Sequence, residues 1–356
     1  MDKTKLKKFY ELTRGYTLLM SVVPFIAVFI LYLVWQQGLT FAAILKSLIC
    51  LIGIVAVHMF ANLFDDYIDI QNKLKDDIPL NKINFKSKRK ARLILNGEFS
   101  IDNVEKILIA LAGISALVGL FFVMISDIPV ISYIILGGLL TVFYPFSAKF
   151  GLSELTIALI FGPLLMNGAF YALTSTNSSL VFSLSMAFGL MISILSITHS
   201  IMDYEFDKET DKKTLPVMLG KEGSITLIEG LIIIAHIISL VAFSKISPLF
   251  GIISILPLGF SAYISSKLIM SLIDYINIKE VDFTPKWYLG IMENWEEIKA
   301  NNYEYYMYRF YLARNLAAIF GLSNIIVLFI YLIFVSNPIL TFIIFPHIFN
   351  ITNIVF

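Results

Sequence analysis

The stretch Asn62-Leu-Phe-Asp-Asp-Tyr-Ile-Asp-Ile70 sets one amide and three carboxylates at the end of a long apolar run. Each helical residue turns by about 100°, so with Asn62 at zero Asp65 falls near ~300°, Asp66 near ~40° and Asp69 near ~340°. All four share one stripe. A second acidic group follows in THSIMDYEFDKETDKK, where Asp203, Asp207 and Asp211 recur with helical spacing and His199 stands one turn earlier. Glu205 and Glu209 fall on other faces. Oxygen donors without cysteine suit a hard cation, and Mg²⁺ is usually held by a few carboxylates together with substrate phosphates. The near absence of histidine and cysteine argues against zinc or copper. Two such stripes at one membrane face could hold Mg²⁺ ions that bridge a diphosphate and neutralise charge on a departing group. Two other readings stand beside this one: solvated acids at a membrane interface, and an ion-coupled transporter that uses the same carboxylates.

The elements that must carry these stripes are membrane spans. The chain has 356 residues, 58% hydrophobic and 15% charged, with a mean hydropathy of +0.82. About 20 apolar residues cross a bilayer core as a helix. Spans are expected near 17–35, 40–61, 105–125, 129–146, 153–173, 180–201, 224–243, 249–272 and 315–335, in one domain over 1–356. The segment 338–356 is either a tenth span or a surface-lying tail. The expected class is therefore an all-α polytopic membrane bundle. No cleavable leader is expected, because the first apolar run is long and lacks a small-residue cleavage site. Cys50 lies inside a span and suits a small buried hydrophobe. A net charge of +1 gives no sign of a nucleic-acid partner.

With the N-terminus in the cytoplasm, all but two of the 27 Lys and Arg residues, Lys46 and Lys245, fall on the cytoplasmic side, as the positive-inside rule requires. This places the polar loops 62–104, 202–223 and 273–314 on that face with both acidic stripes. The basic segment NKINFKSKRKARLILNG suits contact with anionic membrane lipid or a lid over the site. MENWEEIKANNYEYYMYRF suits an amphipathic helix on the membrane surface.

The residues also resemble a known family. NLFDDYIDI matches the Asn-x-x-x-Asp-Tyr-x-Asp motif of the UbiA superfamily of intramembrane prenyltransferases, at Asn62, Asp66, Tyr67 and Asp69. The match is to its branch of 1,4-dihydroxy-2-naphthoate polyprenyltransferases, which make menaquinone precursors. MDYEFDKETDKKTLPVMLG matches the branch's second motif at Asp203 and Asp207, and the run from Lys213 to Gly220 follows it. GLSELTIALIFGPLLMNGAFY, LILNGEFS, TRGYTLLMSVVP and RFYLARN resemble further family segments, in the family's order.

The resemblance implies nine helices around a central cavity, a polyprenyl diphosphate donor, Mg²⁺ and an aromatic acceptor. It implies that Asp66, Asp69, Asp203 and Asp207 hold the metal and diphosphate, with Asn62 and Asp65 in support and Asp211 as a further candidate ligand. Lys149, Lys213 and Arg14 are the basic candidates for diphosphate oxygens. Phe143, Tyr144, Phe161 and Tyr171 are candidates for an aromatic wall that shields an allylic cation, and His199 is a candidate at the acceptor. The sequence departs from the branch at Met202, where Arg is usual, at Asp211, where Gly is usual, at His199, where Asn is more common, and in YPFSAKFG. All four lie where an acceptor's acidic group is expected.

Overall fold

The computed structural model describes residues 3–75, 93–94, 97–210, 212–278, 283–284, 286–290, 292 and 295–337. Among them every regular element is helical. Nine helices are long and apolar enough to cross a membrane: Gly15–Gln36, Phe41–Asn72, Ile101–Ile125, Pro129–Phe150, Ser153–Thr174, Ser179–Met202, Leu215–Ile246, Pro248–Ile276 and Glu304–Ser336. They are called the first to ninth spans below. Local sequence sets their ends. Ser100 accepts from Asn103 N at 3.2 Å and Ser178 from Val181 N at 3.3 Å, capping the third and sixth spans. Pro129, Pro216 and Pro248 sit in first turns, where the missing N–H leaves no gap.

The first and sixth spans form the centre, each 67% buried, while the third and fourth are only 17% buried and stand at the periphery. The fifth and sixth approach closely. A side chain at Gly162 would collide with the Ser185 carbonyl and the Gly189 backbone, and one at Gly189 would collide with the Ala158 carbonyl. Near this contact the fifth span makes a π turn over Ile160–Leu164, with Pro163 inside it. The seventh and eighth spans buttress the sixth and ninth from behind. The remaining spans enclose a cavity of about 480 Å³.

Several expected boundaries shift. The second helix continues through the acidic motif to Lys75, so the motif is not a loop beyond the span. The loop expected at 273–314 is shorter, because the eighth helix runs to Ile276 and the ninth begins at Glu304. Its expected amphipathic helix is a single turn and a half, Trp295–Ala300. The chain turns just beyond it at Asn302, whose φ of 51° breaks the helical path before the ninth helix begins. Asp211, most of the basic segment and the tail 338–356 lie outside the described residues.

Candidate active site

The cavity has a polar end and an apolar barrel. Its polar end is lined by Arg14, Thr17, Asn62, Tyr144, Ser196 and His199, with Phe310 of the ninth span beside them. From Asn62 the wall descends along the second span through His58, Val57, Ile54 and Gly53 to Cys50. At 1.5 Å per residue that is roughly 18 Å of depth. Phe122, Val130, Tyr133, Ala169 and Ala172 line the cavity from the third, fourth and fifth spans.

The second-span stripe lies on unbroken helix. Opposite it a tight turn, Gly15–Thr17, follows the N-terminal helix Lys3–Leu12. A side chain at Gly15 would strike the Tyr10 ring, so the turn fits only because that residue is glycine. Arg14 sits just before it in the left-handed region, φ 51° and ψ 43°, a conformation that costs a non-glycine residue roughly 1 kcal/mol. The geometry delivers its guanidinium to the stripe. Arg14 Nε donates to Asp66 Oδ2 at 3.0 Å, and Nη2 donates to Asp65 Oδ2 at 2.9 Å and contacts Asp66 Oδ1. Burial works to lower the Arg14 pKa, but the charges of Asp66 and Asp65 outweigh it and hold the group well above its ordinary value. Arg14 is therefore a permanent cation.

Asn62 donates to Thr13 O at 3.3 Å and to Thr17 Oγ1 at 3.0 Å. Tyr67 turns the other way and donates to Glu105 of the third span at 2.7 Å.

The sixth span does not carry its acids on continuous helix. It ends at Met202, Asp203 takes φ −99° and ψ 8°, and a short helix Tyr204–Glu209 follows. Backbone bonds from Asp203 N to His199 O, 3.1 Å, and from Asp207 N to Asp203 O, 2.8 Å, nevertheless preserve the four-residue spacing across the break. Asp203 accepts from the Tyr306 hydroxyl at 3.3 Å. Asp207 is buried. It accepts from Thr214 Oγ1 at 3.4 Å, with Lys212 Nζ at 3.9 Å. Glu205 points away and pairs with Lys221 at 2.9 Å.

An aromatic belt runs between the two acidic ends. The Tyr16 ring lies edge-on to Phe310 with centroids 6.3 Å apart, and His199 sits 5.4 Å from Phe310 and 5.2 Å from Tyr306. Phe161 lines the cavity with its ring 5.1 Å from His58. Tyr171 does not join this wall. It is buried behind Tyr133, ring centroids 6.0 Å apart, and Tyr133 lines the cavity in its place. The π turn precedes Tyr171 and re-phases the later residues of the fifth span against a plain 3.6-residue repeat. Lys149 and Lys213 are exposed and outside the cavity lining. Their loops meet through a backbone bond from Lys213 N to Ala148 O, 2.9 Å.

Sequence spacing missed Thr17, His58, Tyr306 and Glu154. His58 carried a readable signal, since it stands one helical turn before Asn62 on the same stripe. Glu154 is a buried carboxylate that accepts from Ser153 Oγ at 2.7 Å and Ser200 Oγ at 3.2 Å, joining the fifth and sixth spans beside the site.

As a metal site the arrangement is open rather than closed. Among the described residues, which do not include Asp211, no three His, Cys, Asp or Glu side chains converge into a cage. The donors that are present fit an ion held by one or two carboxylates and completed by substrate oxygens. Asp65 and Asp66 already hold a cation, that of Arg14.

The bundle thus sets an apolar cavity beside Arg14 and the carboxylates it pairs with. Residues 14–272 match the UbiA prenyltransferase family, to which the chain belongs. It is a membrane-embedded transferase, which sets the transporter reading aside. The chain is 25% identical over 241 residues to the 1,4-dihydroxy-2-naphthoate octaprenyltransferase of Bacillus subtilis (strain 168), covering 64% of this chain and 71% of that one. In fold it is similar to a UbiA homolog from Aeropyrum pernix K1, with TM-score 0.56, 15% identity, and 88% and 98% of the two chains covered. A UbiA homolog from Archaeoglobus fulgidus, solved bound to GPP and Mg²⁺, matches with TM-score 0.51, 16% identity, and 88% and 99% covered.

Proposed function

We propose that the protein transfers a polyprenyl group from its diphosphate to an aromatic quinone precursor such as 1,4-dihydroxy-2-naphthoate, at the cytoplasmic face of the membrane. The observation that carries this reading is the division of one cavity into a polar mouth, where Arg14 pairs with Asp65 and Asp66, and an apolar barrel. The diphosphate belongs at the mouth and the isoprenoid tail in the barrel, continuous with membrane lipid. The Bacillus relative supports the naphthoate acceptor, and the GPP and Mg²⁺ of the Archaeoglobus homolog support the donor and the ion.

Asp66 and Asp69 from the second span, and Asp203 and Asp207 from the sixth, are the residues that would hold Mg²⁺, with Asn62 and Asp65 beside them. Bound Mg²⁺ would supply neutralisation of the charge that builds on the leaving diphosphate. Arg14, fixed beside Asp65 and Asp66, adds guanidinium donors suited to phosphate oxygens, and Lys149 and Lys213 add positive charge from the rim.

The allylic C–O bond breaks and its electron pair leaves with the diphosphate. The rings of Tyr144, Phe161 and Phe310 exclude water and face the allylic cation, and each desolvated ring face is worth about 1–2 kcal/mol to a cation. The electron-rich ring carbon of the acceptor then forms the new C–C bond, and the group it carried, carbon dioxide or a proton, is released. His199, between Phe310 and Tyr306, is placed to orient the acceptor.

The test is a panel of aromatic acceptors incubated with polyprenyl diphosphates and the protein in proteoliposomes, with product masses read out. The expected result is a decarboxylated prenyl naphthoquinol that forms with Mg²⁺ and not with excess chelator. Metal-independent turnover, or no product with any acceptor, contradicts the reading.

A further inference from the structure

One hydroxyl ties together groups that sequence spacing treats separately. Thr17 Oγ1 donates to the Arg14 carbonyl at 2.8 Å, accepts from Asn62 Nδ2 at 3.0 Å and lies 3.1 Å from His58 Nε2. His58 Nδ1 lies 2.8 Å from Ser21 Oγ. The proton logic is constrained. A hydroxyl has one proton and two lone pairs. The Thr17 hydroxyl accepts from Asn62 and donates to the Arg14 carbonyl, and its contact with His58 Nε2 follows the tautomer of the imidazole. The Asn62 amide is oriented without ambiguity, because Thr13 O can only accept, and the atom facing it must be the NH₂ group. Asn62 Oδ1 is thereby turned away from the first turn and kept for a ligand in the cavity, which Asn62 lines.

The same hydroxyl acts on Arg14 through the backbone. The Arg14 carbonyl takes the Thr17 amide at 2.9 Å as well as the hydroxyl. Two bonds from one residue hold a left-handed conformation that arginine does not favour on its own. His58 has both ring nitrogens engaged by Thr17 and Ser21, and Phe161 covers its ring. It has no free nitrogen to offer a substrate and acts as the backing of Thr17.

We infer that Thr17, backed by His58, is the positioning residue of the diphosphate site, setting the Asn62 amide and the Arg14 guanidinium before a ligand arrives. This rests on the function proposed above. Loss of the Thr17 hydroxyl then weakens the hold on the diphosphate and leaves the acceptor's binding alone.

The test compares Thr17→Val, which keeps the branched shape, with Thr17→Ser, which keeps the hydroxyl. Thr17→Val is expected to raise KM for the polyprenyl diphosphate roughly tenfold, the size of one hydrogen bond, with KM for the acceptor within about twofold. Thr17→Ser is expected to bring the donor KM back to within about threefold of wild type. A second readout needs no turnover: the thermal stabilisation of the purified protein by Mg²⁺ plus inorganic diphosphate shrinks in Thr17→Val and returns in Thr17→Ser. In the Thr17→Val/His58→Gln double variant the donor KM stays within about twofold of Thr17→Val, since both residues act through one hydroxyl.

Wild-type donor KM and wild-type diphosphate stabilisation in Thr17→Val overturn the inference. So does a Thr17→Ser variant as impaired as Thr17→Val, which would make the role one of packing, and a fully additive double variant removes His58 from it. If the wild type transfers no prenyl group at all, the proposed function falls, and the diphosphate stabilisation still decides the role of Thr17.

Discussion

The two acidic ends solve the same problem in different ways. At the second span Asp65 and Asp66 stand on continuous helix and are paired with Arg14, whose side chain keeps only 12% of its exposure. At the sixth span Asp203 and Asp207 straddle a helix break, and their partners include the hydroxyls of Tyr306 and Thr214, with Lys212 at 3.9 Å. One cluster is bridged by a guanidinium that engages two carboxylates, and the other is met by hydroxyl groups with a lysine further off. The difference separates two tasks that a diphosphate site must perform. Under the proposed function, a guanidinium holds the first cluster rigid and the second presents its carboxylates across a helix break.

The sharpest way to break this comparison is to neutralise one cluster at a time. Both Asp66→Asn and Asp207→Asn are expected to lower kcat/KM by at least ~100-fold, the order associated with removing a group that stabilises developing charge. They should differ in stability. Asp66→Asn leaves a mostly buried guanidinium with half its counter-charge and should cost roughly 2 kcal/mol, less than a fully buried broken pair because Asp65 remains. Asp207→Asn should change the melting temperature little. Equal stability losses, read by thermal unfolding in detergent, would remove the asymmetry.

A smaller effect sharpens the role of Arg14. Arg14→Lys keeps the charge but loses the planar fork that engages both carboxylates, so an Arg-to-Lys change here is not conservative. A fall in donor affinity of about tenfold is expected, on the order of one charge-assisted bond. A lysine variant with wild-type donor KM would mean that only the charge matters.

The smallest expected effect lies at the second cluster. Tyr306→Phe removes one long hydroxyl bond to Asp203 while keeping the ring beside His199. A change in kcat/KM of about threefold to tenfold is expected, the range for one ordinary hydrogen bond, because this bond to the carboxylate is long. A larger loss would show that Tyr306 touches the substrate.

Legibility in the sequence followed the same division. The second-span stripe could be read because unbroken helix keeps a fixed angular step, and the structure carries that helix through the motif to Lys75. The nine spans were readable for the same reason, since length and hydropathy alone define them. What spacing could not supply was long-range. Arg14 meets Asp66 across 52 positions of sequence, and nothing local to either residue marks the pair. Thr17 escaped notice because a lone hydroxyl in an apolar run reads as packing, whereas His58 could have been read from its place on the Asn62 stripe.

Local irregularities caused the remaining errors. Tyr171, beyond the π turn at Ile160–Leu164, lies behind Tyr133, which lines the cavity. The breaks at Asp203 and Asn302 shortened elements that periodicity alone would extend.

The central claim is that both acidic ends grip a single diphosphate across one cavity. Equilibrium binding of a non-hydrolysable polyprenyl diphosphate analogue, titrated in the presence and absence of Mg²⁺, tests it most directly. The account predicts that Asp66→Asn and Asp207→Asn each weaken Mg²⁺-dependent binding by at least about tenfold, more than 1.4 kcal/mol. Wild-type affinity in either variant would mean that only one end holds the ligand, and would contradict it.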